Sequence, residues 1–133
     1  MGVVREFKRS PAPSTPSIEH GKFSKPDETR KFDLGKMEVV SLGGETFTRA
    51  TFEPGWRWSN CIKPIANTPS CQARHLSLIL SGRLHVAMDN GDEYEFGPGE
   101  IGEIPPGHDA WVVGNTSVVA IDIAGTMIQG KKK

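Results

Sequence analysis

A chain of 133 residues is the length of one domain and can bury a core without disulfide or metal staples, which makes a second domain unlooked for. With 36% hydrophobic and 24% charged residues, 15 Gly and 10 Pro, the composition is that of a globular, turn-rich protein of short strands. The formal net charge is zero, but residues 1–31 carry seven Lys/Arg against four Asp/Glu and residues 131–133 are all Lys, which leaves an acidic body with basic ends and argues against a nucleic-acid-binding face on the folded part.

No apolar run approaches the roughly 18 residues needed to span a bilayer, and the N-terminus lacks the apolar stretch of a secretory signal. The expected location is the cytoplasm, with no membrane partner. Cys61 and Cys71 are too few for a disulfide framework and are expected as free thiols in a reducing compartment.

In chain order, Pro11, Pro13, Pro16 and Pro26 punctuate a Ser-, Thr- and Lys-containing segment poor in apolar residues, so residues 1–30 read as an irregular arm. Val3, Val4, Phe7, Ile18 and Phe23, spaced along it, leave docking on its own domain or on a neighbouring subunit open. Residues 31–128 form the folded body and 129–133 a basic tail. Short β-prone runs then alternate with turns. Residues 37–42 end at Gly43-Gly44, 46–52 at Pro54-Gly55, 75–80 at Ser81-Gly82, and 84–88 at Asp89-Asn90-Gly91, a strong hairpin signal. Residues 94–96 end at Gly97-Pro98-Gly99 and 101–104 at Pro105-Pro106-Gly107; residues 111–113 and 118–123 follow. Eight short strands at turn spacing, with no sustained helical period, predict an all-β antiparallel sandwich or barrel.

Over roughly residues 45–124 the chain resembles the cupins, small jelly-roll barrels. The resemblance rests on Phe52-Glu53-Pro54-Gly55, on Leu80-Ser81-Gly82-Arg83-Leu84, and on Gly97-Pro98-Gly99-Glu100 followed by Ile104-Pro105-Pro106-Gly107-His108. It implies an antiparallel double-stranded jelly-roll barrel, a homodimer, and a divalent metal held by three His and one Glu. That ligand set is absent from this chain. Measured back from Gly82, the Glu position holds His75, and the two His positions hold Cys71 and Pro69. Measured forward from Gly55, the His positions fall on Cys61 and Lys63, because the 60–70 loop is longer than the usual motif. In the second motif His108 directly follows Pro-Pro-Gly, while the usual ligand position holds Ala110.

His75, Cys71 and His108 nevertheless share inward offsets, so on strands all three can face one cavity. Two imidazoles and a thiolate suit Zn²⁺ or another late transition metal, with Glu103, water or substrate at a fourth position; Zn, Fe, Mn and Ni are the candidates. A hydrogen-bonded pair of buried histidines fits His75 and His108 equally, and a small buried hydrophobe is the commoner role for Cys71. As a nucleophile with its base, Cys71 and His75 would stand about 13 Å apart on an extended strand, too far to pair. Cys71 and His108, across strands, are open to it. Trp56, Trp58 and Trp111 are core or rim packing, or else the apolar wall of a small-ligand pocket with Arg57 or Arg74 near its mouth to fix an anionic group. His85 is expected on the surface, and Asp109 either orients a neighbouring donor or caps a turn.

The resemblance implies dioxygenase, isomerase or decarboxylase chemistry on small acids. A binding or sensor domain that holds a small molecule without metal is the alternative.

Overall fold

The computed structural model describes residues 16–123. The outer part of the arm, including Val3, Val4 and Phe7, and the basic tail at 129–133 lie outside the described residues. The described residues form nine strands: β1 (Glu28–Phe32), β2 (Gly35–Leu42), β3 (Glu45–Phe52), β4 (His75–Ser81), β5 (Leu84–Met88), β6 (Glu93–Phe96), β7 (Ile101–Ile104), β8 (His108–Val112) and β9 (Val118–Ile123). Two single-turn helices, α1 (Trp58–Cys61) and α2 (Lys63–Ala66), interrupt them between β3 and β4. Among the described residues, no helix is long and apolar enough to cross a membrane.

All pairings are antiparallel. A six-stranded sheet runs β1-β2-β3-β9-β4-β7, and a three-stranded sheet runs β6-β5-β8. Non-consecutive neighbours such as β3-β9 and β5-β8 make this a jelly roll rather than a meander. Alternation decides what faces inward. Thr46, Thr48, Ala50 and Phe52 of β3, His75, Ser77 and Ile79 of β4, His108, Ala110 and Val112 of β8, and Val118, Ala120 and Asp122 of β9 are all buried. The core joins the two sheets through Met37, Phe52, Ile79 and Ala120 on one side and Leu84, Val86, Ala110 and Val112 on the other.

Gly82 sits between β4 and β5 at φ +76°, and a Cβ there would collide with the Ser117 carbonyl, so the crossing of β4 to the second sheet requires glycine.

The sheet begins at Glu28, inside the segment read as an arm. Its first strand is polar and alternates Glu-Thr-Arg-Lys because it is an edge strand paired only with β2. The described remainder of the arm lies against its own domain. Phe23 sits beneath the Arg49 guanidinium at 5.2 Å, Glu19 accepts from the Gly43 amide at 2.8 Å, and Asp27 accepts from the Ser41 amide at 2.7 Å.

The two helical turns correct the expectation of strand and loop alone. Residues 58–66 are too short for a legible period, and Asn67 in the left-handed region (φ 60°) ends α2. The Asp109 carboxylate accepts from the Ser59 amide at 3.0 Å, capping α1 from across the fold.

Candidate metal centre

His75 opens β4 and His108 opens β8, both on inward positions. Cys71 precedes β4 and pairs with His108 in an isolated bridge, with Cys71 N donating to the His108 carbonyl at 2.8 Å and Gly107 N donating to the Cys71 carbonyl at 2.7 Å. The chain from 72 to 74 is not a strand, so Cys71 folds back and its Sγ lies 3.6 Å from Nε2 of His75. The sequence expectation that these two could not meet is thereby corrected: the 13 Å separation presumed an extended run. The imidazoles of His75 and His108 meet edge-on, centroids 5.1 Å apart. One donor atom from each of Cys71, His75 and His108 lies within 4.8 Å of the others, and all three side chains are buried; the three form a group that can hold a metal ion.

Both imidazoles are fixed from behind. His108 Nδ1 lies 2.8 Å from the Pro105 carbonyl, which can only accept, so Nδ1 carries a proton and donates. His75 Nδ1 lies 3.3 Å from Oδ2 of Asp122. That carboxylate is itself held by the Leu76 amide at 2.9 Å and the Ser77 hydroxyl at 3.0 Å, and it is fully buried. A carboxylate behind a histidine is the arrangement that orients a metal-ligating imidazole and raises its basicity.

Electrostatics favour the thiolate. Burial pushes the Cys71 thiol up, but hydrogen bonds from His108 and His75 outweigh it and bring the thiol down to about 6. Burial pushes His75 down, but Asp122 and Cys71 hold its proton and raise it to about 9. The two shifts favour a thiolate facing an imidazolium, and a metal taking Sγ and Nε2 would displace the imidazolium proton.

The other sequence candidates divide. Trp56 and Trp58, both 4% exposed, line the cavity beside the three donors, with Trp56 stacked on Phe52 at 4.0 Å. Trp111 lies on the outward face of β8, stacked on His85 at 4.6 Å and beneath Arg57 at 4.0 Å, and Arg57 pairs with Asp109 at 3.2 Å. Neither Arg57 nor Trp111 lines the cavity. The outward place expected of His85 is where it sits. Glu103 is exposed and paired with Arg74 at 2.9 Å, apart from the three donors. Cys61 and Cys71 are both free thiols. Asp122 escaped the sequence reading, although Val118, Ala120 and Asp122 share the inward parity of β9.

No protein-family model matches the chain, and no curated protein matches it in sequence. Solved structures do match. A protein of unknown function from Rhizobium leguminosarum bv. viciae superposes with a TM-score of 0.57 at 18% identity, covering 81% of this chain and 96% of that one. The polyketide cyclase RemF from Streptomyces resistomycificus gives 0.57 at 17%, over 81% and 79%. The Bacillus subtilis oxalate decarboxylase gives 0.52 at 17%, over 74% of this chain and 27% of that one. These relations, with the two-sheet topology, decide the architecture.

The fold is that of the cupins.

At these identities the likeness is one of fold, and the cupin neighbours include enzymes of unlike reactions.

Proposed function

We propose that this cupin-fold protein binds a thiophilic divalent transition metal through Cys71, His75 and His108 and presents its open coordination position to a small ligand in the cavity. The convergence of three buried donors within 4.8 Å, with both imidazoles anchored through Nδ1, carries the reading. One soft thiolate and two imidazoles, with no carboxylate among them, favour Zn²⁺, Ni²⁺ or Cu²⁺ over Mn²⁺ and Fe²⁺. Bound there, the metal would supply a Lewis acid for an oxygen ligand. Asp122 fixes the His75 ring, Pro105 fixes that of His108, and the Trp56, Trp58 and Phe52 walls exclude bulk water. A catalytic role on a small acid is the reading suggested by one neighbour of the same fold, an oxalate decarboxylase.

The metal-free binding or sensor reading has its own support, because the Asp122–His75–Cys71 hydrogen bonds are satisfied within the chain. Zinc titration against a competing chelator separates the two. One equivalent held in the micromolar range or tighter, weakened at least 100-fold in Cys71→Ser, supports the metal site; no uptake favours the sensor.

A further inference from the structure

Every residue that lines the cavity beside Cys71, His75 and His108 is buried, so nothing from solvent reaches the donors unless part of the wall moves. Most of that wall consists of inward side chains on paired strands, such as Ile79, Val86 and Ala110, and cannot open without breaking sheet hydrogen bonds. Four lining residues stand outside the strands. Trp56 and Cys71 are tied to β8 through the backbone, with Val112 N donating to the Trp56 carbonyl at 3.1 Å and Cys71 N to the His108 carbonyl at 2.8 Å. The other two, Trp58 and Ile62, belong to the α1–α2 segment.

That segment is self-contained. Among the described residues, the backbone hydrogen bonds of residues 58–67 stay within 57–67: Asn60 and Cys61 donate to Arg57, Ile62 to Trp58, Ile65 and Ala66 to Ile62, and Asn67 to Lys63. Its tie to the sheets is the Ser59 amide, which donates to the Asp109 carboxylate at 3.0 Å, and the same carboxylate accepts from Arg57 Nε at 3.2 Å. Cys61 Sγ adds a long contact to Asp33 at 3.9 Å. α2 buries no residue and Ile65 is 70% exposed, so apolar packing holds the segment down chiefly through Trp58, Cys61 and Ile62. Segments with few ties to the rest of a fold open at lower free energy than paired strands.

We propose that α1–α2 is a hinged cover over the cavity, turning about the extended Arg57 and the left-handed Asn67, and that Asp109 is its latch. The proposed metal site supplies what passes beneath the cover, and the inference rests on that reading to this extent. Asp109 follows His108 on β8, but alternation sends it to the opposite face, so it is a positioning residue that governs access and leaves coordination to its neighbour. Releasing the latch raises entry and exit rates together; affinity stays while exchange quickens. A rival entrance lies at Val86 and Ile104, which also face a crevice between β6 and β7 where the Phe96 ring lies over Gly102. Both residues are held on paired strands.

The test times zinc release from the loaded full chain into excess chelator, in wild type, Asp109→Ala, Asp109→Asn and Phe96→Ala, and follows amide hydrogen exchange on the metal-free proteins. In Asp109→Ala release is expected to be roughly tenfold faster or more, the scale of one charge-assisted hydrogen bond, with zinc affinity within about threefold of wild type. Asn keeps an oxygen for the Ser59 amide, so the rate in Asp109→Asn should fall between the two. The amides of residues 60–62 and 65–67 should exchange together, ahead of those of β4, β8 and β9, and faster still in Asp109→Ala. Should Asp109→Ala fail to fold, Asp109→Asn and the wild-type exchange pattern decide, and amides of 60–67 that exchange no sooner than the strands overturn the inference. Unchanged release and exchange in Asp109→Ala overturn it, as does faster release in Phe96→Ala alone, which would move the entrance to the crevice. A rise in exchange shared by the strands would make Asp109 a general structural residue and overturn it too. Wild-type protein that takes up no zinc overturns the metal site, and exchange at residues 60–67 then decides the cover by itself.

Discussion

Asp122 Oδ2 lies 3.3 Å from Nδ1 of His75, on the ring edge opposite the nitrogen that meets Cys71. A buried carboxylate held by the Leu76 amide and the Ser77 hydroxyl cannot rotate away, so the ring is fixed in tautomer and direction. Asp122→Asn keeps the volume and removes the charge. Zinc affinity, measured by chelator competition, is expected to fall roughly 10- to 100-fold in that variant while the fold survives. Unchanged affinity would mean that His75 is not a ligand held through Asp122.

Cys71 is the soft donor. In Cys71→Ser, cobalt(II)-loaded protein is expected to lose its thiolate-to-cobalt absorption in the near ultraviolet, and preference for Zn²⁺ over Mn²⁺ should shrink at least tenfold. Equal absorption in wild type and variant would place the thiol outside the coordination sphere.

Arg57, Trp111 and Glu103 lie away from the cavity, paired with Asp109, with His85 and Arg57, and with Arg74 respectively. Trp111→Phe and Glu103→Ala are expected to leave metal content and zinc affinity within about twofold of wild type, since surface substitutions usually change little. Loss of metal in Glu103→Ala would return that carboxylate to the ligand set.

Gly82 and Gly43 both have positive φ but differ in surroundings. At Gly82 a Cβ meets the Ser117 carbonyl and the Val118 backbone, whereas at Gly43 nothing lies within 4 Å. Gly82→Ala is expected to cost more than about 2 kcal/mol, and Gly43→Ala only about 1 kcal/mol, the left-handed penalty alone. Urea denaturation of the two variants checks the order.

Glu38, buried on the face of β2 opposite Met37, sits between Arg49 at 2.9 Å and Lys36 at 3.4 Å. The hydrogen bond from Arg49, with the charges of Arg49 and Lys36, outweighs burial and holds its carboxyl below the ordinary 4.5. A carboxyl depressed on folding contributes stability above its unfolded pKa and loses it as pH falls through the folded value. Glu38→Gln is therefore expected to be less stable by about 1–2 kcal/mol at pH 7. That gap should hold down to about pH 4.5 and close below it. A gap that grows on acidification would contradict the assignment.

How far the sequence could be read depended on how local the signal was. Period-two alternation bounded by Gly and Pro placed β2 to β7 and β9, because strands half-buried against one core must alternate, whereas β8, expected at residues 111–113, begins three residues earlier at His108. The polar edge strand β1 carries no such contrast, so its first residues, Glu28–Arg30, passed for arm. Cys71, His75 and His108 were legible as inward candidates, but their convergence was not: it depends on the irregular segment at residues 72–74 and on the bridge between Cys71 and His108, both set by tertiary packing. Asp122 was hidden by the apolar run around it, although its parity with Val118 and Ala120 was there to be used. Trp111 and Arg57 were misplaced because nearness to a motif in sequence says nothing of which sheet face a residue takes.

The most direct measurement is elemental analysis of the purified full-length chain beside His75→Ala and His108→Ala, each incubated with Zn²⁺ and then desalted. About one zinc per chain in the wild type, lost in both folded variants, is the result the Cys71–His75–His108 site requires. Wild-type protein that stays metal-free, or variants that keep their zinc, would contradict it.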